Sequence, residues 1–135
     1  MKQGSIIATL LTLATALSAT TANAGSAPLQ GKFEGVPYLS GGVSLDEREQ
    51  LLSAAPDYNL ELIFARKDGS YLADTNVVVT NPDGRKVLEL KGQGPFVLAR
   101  LPTGKYHVTV ASAGKEQMRD TQIPAKGQRQ LPFYW

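Results

Sequence analysis

Apolar and polar residues alternate most strictly in the run LPTGKYHVTV, Leu101 to Val110. Tyr106, Val108 and Val110 project to one side of an extended chain, and Lys105, His107 and Thr109 to the other, because strand side chains alternate with period two. The pattern predicts a strand over Lys105–Ala111 with one buried and one wet face, as in an antiparallel sheet. Pro102 presets φ for a turn, and Gly104 can take a positive φ that a Cβ resists, so the chain reverses just before this strand.

Other segments repeat the pattern. Leu60, Leu62 and Phe64 alternate with Glu61, Ile63 and Ala65, giving a strand whose second face is apolar enough to be covered on both sides. Thr75–Thr80 is rich in β-branched residues, and the turn Asn81-Pro82-Asp83-Gly84 leads from it into Lys86–Lys91, which predicts a hairpin. Gly92-Gln93-Gly94-Pro95 breaks the chain before a strand at Phe96–Leu101. Gln117–Ile123 is mixed in character and suits a sheet edge, as does Gln128–Trp135, where Pro132 cannot donate to a ladder. Seven short strands separated by turn residues predict an all-β, seven-stranded antiparallel β-sandwich.

A helical period appears only at Ser44–Ala55. Ser44 with Glu47 three residues on forms a capping box, and Asp46 and Glu47 favour the dipole of the first turn. Leu45, Arg48, Leu52 and Ala55 share one stripe with Leu51 beside it, and Pro56 ends the run. The stretch before it, Gly25–Gly42, is rich in Gly, Pro and Ser and reads as an arm or long loop. The expected organisation is therefore 1–24 leader, 25–57 arm and short helix, and 58–135 sandwich.

Met1–Ala24 is set apart because Lys2 precedes an apolar run from Ile6 to about Leu17, and Ala22-Asn23-Ala24 is a small-x-small cleavage site. That run is shorter than the roughly 18 to 20 apolar residues of a membrane span. The expected product is a periplasmic or secreted domain of 111 residues with no membrane span after cleavage. It contains no Cys, so packing and sheet hydrogen bonds hold it without disulfides. Removing Lys2 leaves 13 basic against 12 acidic residues, a balance that argues against nucleic acid as a partner.

The run VVVTNPDGRKVLEL followed by FVLARLPTGKYHVTVASAG resembles the carboxypeptidase regulatory-like domains, whose sandwich is transthyretin-like. Asp83-Gly84, Phe96, Leu101, Pro102, Gly104, Tyr106, Val108, Val110 and Gly114 carry the likeness, which covers about Tyr58–Trp135. The resemblance implies a Greek-key strand order and is nearly silent on activity. YLSGGVSLDEREQLL followed by YNLELIFA is similar to a small group of exported bacterial proteins with this domain alone, which implies a periplasmic location. One branch of the fold hydrolyses 5-hydroxyisourate with more than one histidine, an arginine and a C-terminal Tyr-Arg-Gly-Ser. This chain has one His and ends Pro-Phe-Tyr-Trp, so that site does not carry over.

The residues themselves name no catalytic, cofactor-binding or metal-ligating set. His107 lies on the wet face of its strand, Ser112 lacks a nucleophile-elbow context, and Met118 is the one other soft ligand after the leader. The reading that remains is a non-catalytic binding or accessory module of the envelope, its partner an envelope protein or polymer. The alternative is a small periplasmic enzyme or metal-binding protein on the same fold. The candidate interaction surface is Tyr38, Leu39, Ser40, Gly41 and Gly42 in the arm, with Tyr71, Tyr134 and Trp135. Against it stands the competing reading that the aromatics cover the ends of the core and the arm is a packed linker on a sheet edge. Replacing Gly104 by Val is expected to lower unfolding free energy by about 1 kcal/mol or more if its φ is positive, measured by chemical denaturation.

Overall fold

The computed structural model describes residues 28–135, and the expected leader Met1–Ala24 with its Ala22-Asn23-Ala24 site lies outside the described residues. Nine strands and one α-helix follow in the order β1 (Leu29–Phe33), β2 (Val36–Gly41), α1 (Leu45–Ala54), β3 (Leu60–Ala65), β4 (Thr75–Thr80), β5 (Lys86–Gln93), β6 (Phe96–Ala99), β7 (Gly104–Ser112), β8 (Lys115–Ile123) and β9 (Arg129–Tyr134). A single 3-10 turn, Ala55–Asp57, joins α1 to β3. Two sheets result: a first sheet ordered β1-β2-β6-β3-β9 and a second ordered β5-β4-β7-β8. The fold is all-β and sandwich-like, because the inner faces of both sheets share one core. Leu60, Leu62, Phe64, Val97 and Phe133 from the first sheet meet Val77, Val79, Leu88, Val108, Val110 and Ile123 from the second. Each of these residues is fully buried.

Among the described residues the strand count is nine, not the expected seven, because the supposed arm is a hairpin. Glu34 and Gly35, both at positive φ, make a two-residue turn, and β1 pairs with β2 from Phe33–Val36 back to Leu29–Ser40. β2 then pairs with β6, so the hairpin extends the first sheet. The sheets are also not wholly antiparallel: β9 runs parallel to β3, from Leu60 opposite Arg129 to Ala65 opposite Tyr134. A parallel neighbour needs a long crossover, and here the whole second sheet lies between the two strands in sequence. β8 and β9 do fall at sheet edges, as their polar character and Pro132 require. Gly104, the first residue of β7, has φ +153°.

The helix lies on the outer face of the first sheet, seated differently from its expected stripe. Leu51 packs with Leu39 and Leu98, flanked by Ala54, Ala55, Tyr58 and Phe96, while Leu45 and Leu52 are 69% and 72% exposed. End contacts decide the rotation. Ser44 Oγ accepts from the Glu47 N–H, Glu47 Oε1 accepts from the Gly42 N–H at 3.0 Å, and Arg48 Nε donates to the Gly42 carbonyl at 2.9 Å. Glu47 thus closes a relative of the capping box two residues wider than its usual form, reaching Gly42 in place of the Ser44 N–H.

These contacts need glycine at the strand end. A Cβ on Gly42, at φ +100°, would lie 2.3 Å from the Phe96 ring and 3.3 Å from Leu51. Gly41-Gly42 therefore marks a close approach of strand, helix and ring, not a flexible loop. Gly42→Ala is expected to cost about 2–4 kcal/mol of stability, from a strained φ plus overpacking. Gly84→Ala, also at positive φ (+82°) but with nothing within 4 Å of its Cβ, is expected to cost only about 1 kcal/mol, both read by denaturant midpoints.

Candidate functional site

Because α1 covers part of the first sheet, the fully open sheet face of the molecule is the outer side of the second sheet. Residues opposite each other in an antiparallel pair share a face, so register places its side chains in rows. Thr80 is opposite His107, His107 opposite Asp120, and Lys105 opposite Gln122. His107 and Asp120 are exposed, as the alternation at Lys105–Thr109 requires. Nδ1 of His107 and Oδ1 of Asp120 are hydrogen-bonded across the β7–β8 ladder. That bond orients the ring and leaves Nε2 as its unengaged nitrogen. At an exposed site such a pair adds little to stability, so positioning is its main physical effect.

Around this pair lies an open cleft of about 660 Å³. The Asn81–Gly84 turn forms one wall and Arg129, from β9 of the other sheet, reaches the opposite one. Asn81 spends its carbonyl oxygen on the turn, accepting from the N–H groups of Asp83 and Arg85 at 3.0 Å each, so its amide NH₂ is the donor it can offer. Arg129 Nε donates to Thr121 Oγ1 at 3.2 Å. Tyr106 closes the cleft from the core side, its hydroxyl donating to the Pro102 carbonyl at 2.7 Å, and burial pushes its phenol above the ordinary value. Lys105, Arg129, Asn81 and Gln122 give the cleft more hydrogen-bond donors than acceptors and more positive than negative charge. That chemistry suits a group carrying carboxylate or hydroxyl oxygens.

The same geometry bears on chemistry considered from sequence. Ser112 is buried and five residues along β7 from His107, about 17 Å at strand rise, so the two do not act on one bond. Met118 faces Thr109, one row from His107–Asp120 on the same outer face. Among the described residues no group of three His, Cys, Asp or Glu side chains is placed to hold a metal ion. Among them, too, no helix is long and apolar enough to cross a membrane.

The expected interaction residues are not brought together as one surface. Leu39, Ser40, Gly41 and Gly42 are buried beneath α1 and at the sheet seam. Tyr38 is half-buried, its ring lying across Gly31 of β1, where a Cβ would come within 2.6 Å of the Tyr38 hydroxyl. Trp135 packs on Phe64 and Phe133 with centroids 6.2 and 6.3 Å away, and its backbone is tied to Ala65 and Lys67. Tyr71 and Tyr134 are 47% and 51% exposed. Tyr71 packs at a tilt against Phe96, with ring centroids 5.1 Å apart, and the Arg48 guanidinium lies over its ring at 4.9 Å, so it also serves to tie α1 to the sheet. Asp120, Asn81 and Arg129 were missed from sequence. For Asp120 a signal existed: a two-residue turn at Ala113-Gly114 sets Ser112 opposite Lys115, and counting back puts His107 opposite Asp120.

No family model, curated protein or solved structure matches the chain. Because burial lifts the Tyr106 phenol above 10.0 in the folded state, the folded chain keeps a proton that the unfolded chain has lost in the interval just above pH 10. Stability is therefore expected to be unaffected by this group below pH 10 and to fall as pH rises through the interval. Denaturation of Tyr106→Phe at matched pH, where that part of the decline should vanish, checks it.

Proposed function

We propose that this chain is an exported, non-catalytic binding or accessory module of the bacterial envelope, with a transthyretin-like Greek-key sandwich in β3–β9, and that it engages its partner through the cleft on the second sheet. The observation that carries the reading is the asymmetry of the two outer faces. One is partly covered by α1; the other is open and carries Lys105, His107 and Gln122 beside a cleft that Arg129 of β9 also lines. The residues behind the family resemblance support the fold part of the reading: Asp83-Gly84 and Ala113-Gly114 sit in hairpin turns, and Leu101, Tyr106, Val108 and Val110 are buried. β4 pairs with both β5 and β7 while β6 crosses to the other sheet, which supports a Greek-key path. The leader read in Met1–Ala24 supports export. The partner is an envelope protein or polymer that presents carboxylate or hydroxyl groups.

The enzyme alternative rests on one observation, the oriented His107–Asp120 pair. The two readings separate experimentally. With a photoreactive residue at Gln122, crosslinking in intact cells is expected to capture one envelope component, and Glu49, on the helix, is expected to capture none. Lys105→Ala with Arg129→Ala should reduce capture about tenfold or more, whereas His107→Ala should leave capture and phenotype within about twofold. Equal capture from both positions sinks the cleft as the binding surface. A His107→Ala phenotype as complete as a deletion favours the enzyme.

A further inference from the structure

α1 packs over β2 and β6, through Leu39, Leu98 and Phe96, and leaves the outer face of β3 and β9 outside its cover. Register sets the side chains of that face in rows. Ala65 is beside Tyr134, Ile63 beside Pro132, and Glu61 beside Gln130. The residues between them, Leu62, Phe64, Leu131 and Phe133, are buried in the core, which fixes the first set as the outward one. Tyr71, bridged to Ala65 on its other side, extends the aromatic row.

This strip grades from aromatic to polar over four residues of β3, about 13 Å at strand rise. Tyr134 is 51% exposed, and among the described residues its ring has none of the aromatic contacts that hold Tyr71 and Trp135. Tyr71 keeps 47% exposure even with Arg48 over its ring. Ala65 between them is buried, so the two tyrosines form the surface there. Ile63 and Pro132, half-buried, continue it. At the far end Gln130 Nε2 donates to Glu61 Oε1 at 2.6 Å, which leaves Glu61 Oε2 and Gln130 Oε1 as acceptors for a ligand.

A half-exposed tyrosine offers about 100 Å². Two of them with a half-buried aliphatic row fall well short of the roughly 800 Å² that each side of a stable protein interface buries. The strip fits a narrower ligand, flat, apolar on its faces and rich in hydroxyl donors at its edges. We infer that it binds an extended β-1,4-linked glycan: the C–H face of one pyranose ring lies on Tyr134, the chain crosses Ile63 and Pro132 along the strands, and ring hydroxyls donate to Glu61 and Gln130. A pyranose suits both ends, because its axial C–H bonds are drawn to the electron-rich face of an aromatic ring while its equatorial hydroxyls seek acceptors. The β-1,4 link keeps successive rings in a flat ribbon, as a sheet face demands, whereas an α-1,4 chain curls away. Such a ribbon is built of glucose or of N-acetylglucosamine. The strip lies on the other outer face from the cleft and does not depend on the function proposed there.

The test is titration of the isotopically labelled protein with cellotetraose, with the β-1,4-linked tetramer of N-acetylglucosamine, and with maltotetraose, following the amide signals of Ala65, Tyr71 and Tyr134 and the Gln130 side chain. Saturable shifts are expected with at least one β-linked sugar and none with maltotetraose; whichever β-linked sugar binds tighter identifies the source. Tyr134→Ala should weaken binding about tenfold or more, and Tyr134→Phe should keep it within about threefold, because the ring face makes the contact. Gln130→Ala, at an exposed position, should weaken it about threefold or more, and decides the matter if Tyr134→Ala fails to fold. Equal binding of maltotetraose, unmoved signals with both β-linked sugars, shifts confined to the cleft at Gln122, unchanged affinity in a folded Tyr134→Ala, or a dimer that moves these same signals without sugar would each overturn the proposal.

Discussion

The contact of Leu51 with Leu39 and Leu98 is the interaction on which the asymmetry of this molecule depends. β2 and β6 carry apolar residues on both faces: Val97 and Ala99 point into the sandwich, while Leu39 and Leu98 point out of it. Leaving those two leucines in water would forgo about 1.5–3 kcal/mol each. One helical turn, delivering Leu51, answers that need. The close fit follows from it: Glu47 and Arg48 grip Gly42, Phe96 lies against the glycine, and Tyr71 packs at a tilt on Phe96 under Arg48.

Covering part of the first sheet leaves the second as the more open one, and its strand order concentrates polar chemistry at the cleft. Across β4, β7 and β8 the outward rows gather polar side chains around the His107–Asp120 pair, and Arg129 of β9 adds a second cation to Lys105 at the cleft. On the first sheet, the strip of β3 and β9 beyond α1 grades from Tyr134 to the Glu61–Gln130 pair. The near-neutral total charge of the chain hides this sorting. A composition near balance excludes a strong overall field but says nothing about how charges are sorted over a surface.

Most strands were legible because their periodicity is local. Val77 and Val79, and Tyr106, Val108 and Val110, each announce a buried face within six residues, and the hairpin turns Asp83-Gly84 and Ala113-Gly114 mark their own positions. The β1–β2 hairpin was not legible, since Gly31, Gly35, Gly41 and Gly42 carry the composition of a loop. Gly31 is covered by the Tyr38 ring, and Gly41 and Gly42 are squeezed by Glu47, Pro28, Phe96 and Leu51. Glycine chosen for close approach and glycine chosen for freedom look the same in a sequence. The helix stripe misled for a related reason. A ten-residue helix needs few anchors, and its rotation was set by contacts to Gly42 and not by its most apolar side.

What the amino-acid sequence determined by itself is everything that follows from neighbours in the chain: alternation, turns, the helix cap, and the outward placement of His107. These rest on steric and hydrogen-bond preferences acting over a few residues. What only the tertiary structure decided is what those pieces meet. The parallel β3–β9 pairing, the burial of Leu39–Gly42, the reach of Arg129 across to Thr121, and the Glu61–Gln130 pair join residues up to about seventy positions apart. Such contacts form because two sheets and a helix must bury their apolar faces together, and no local pattern encodes which distant polar groups that burial will leave side by side.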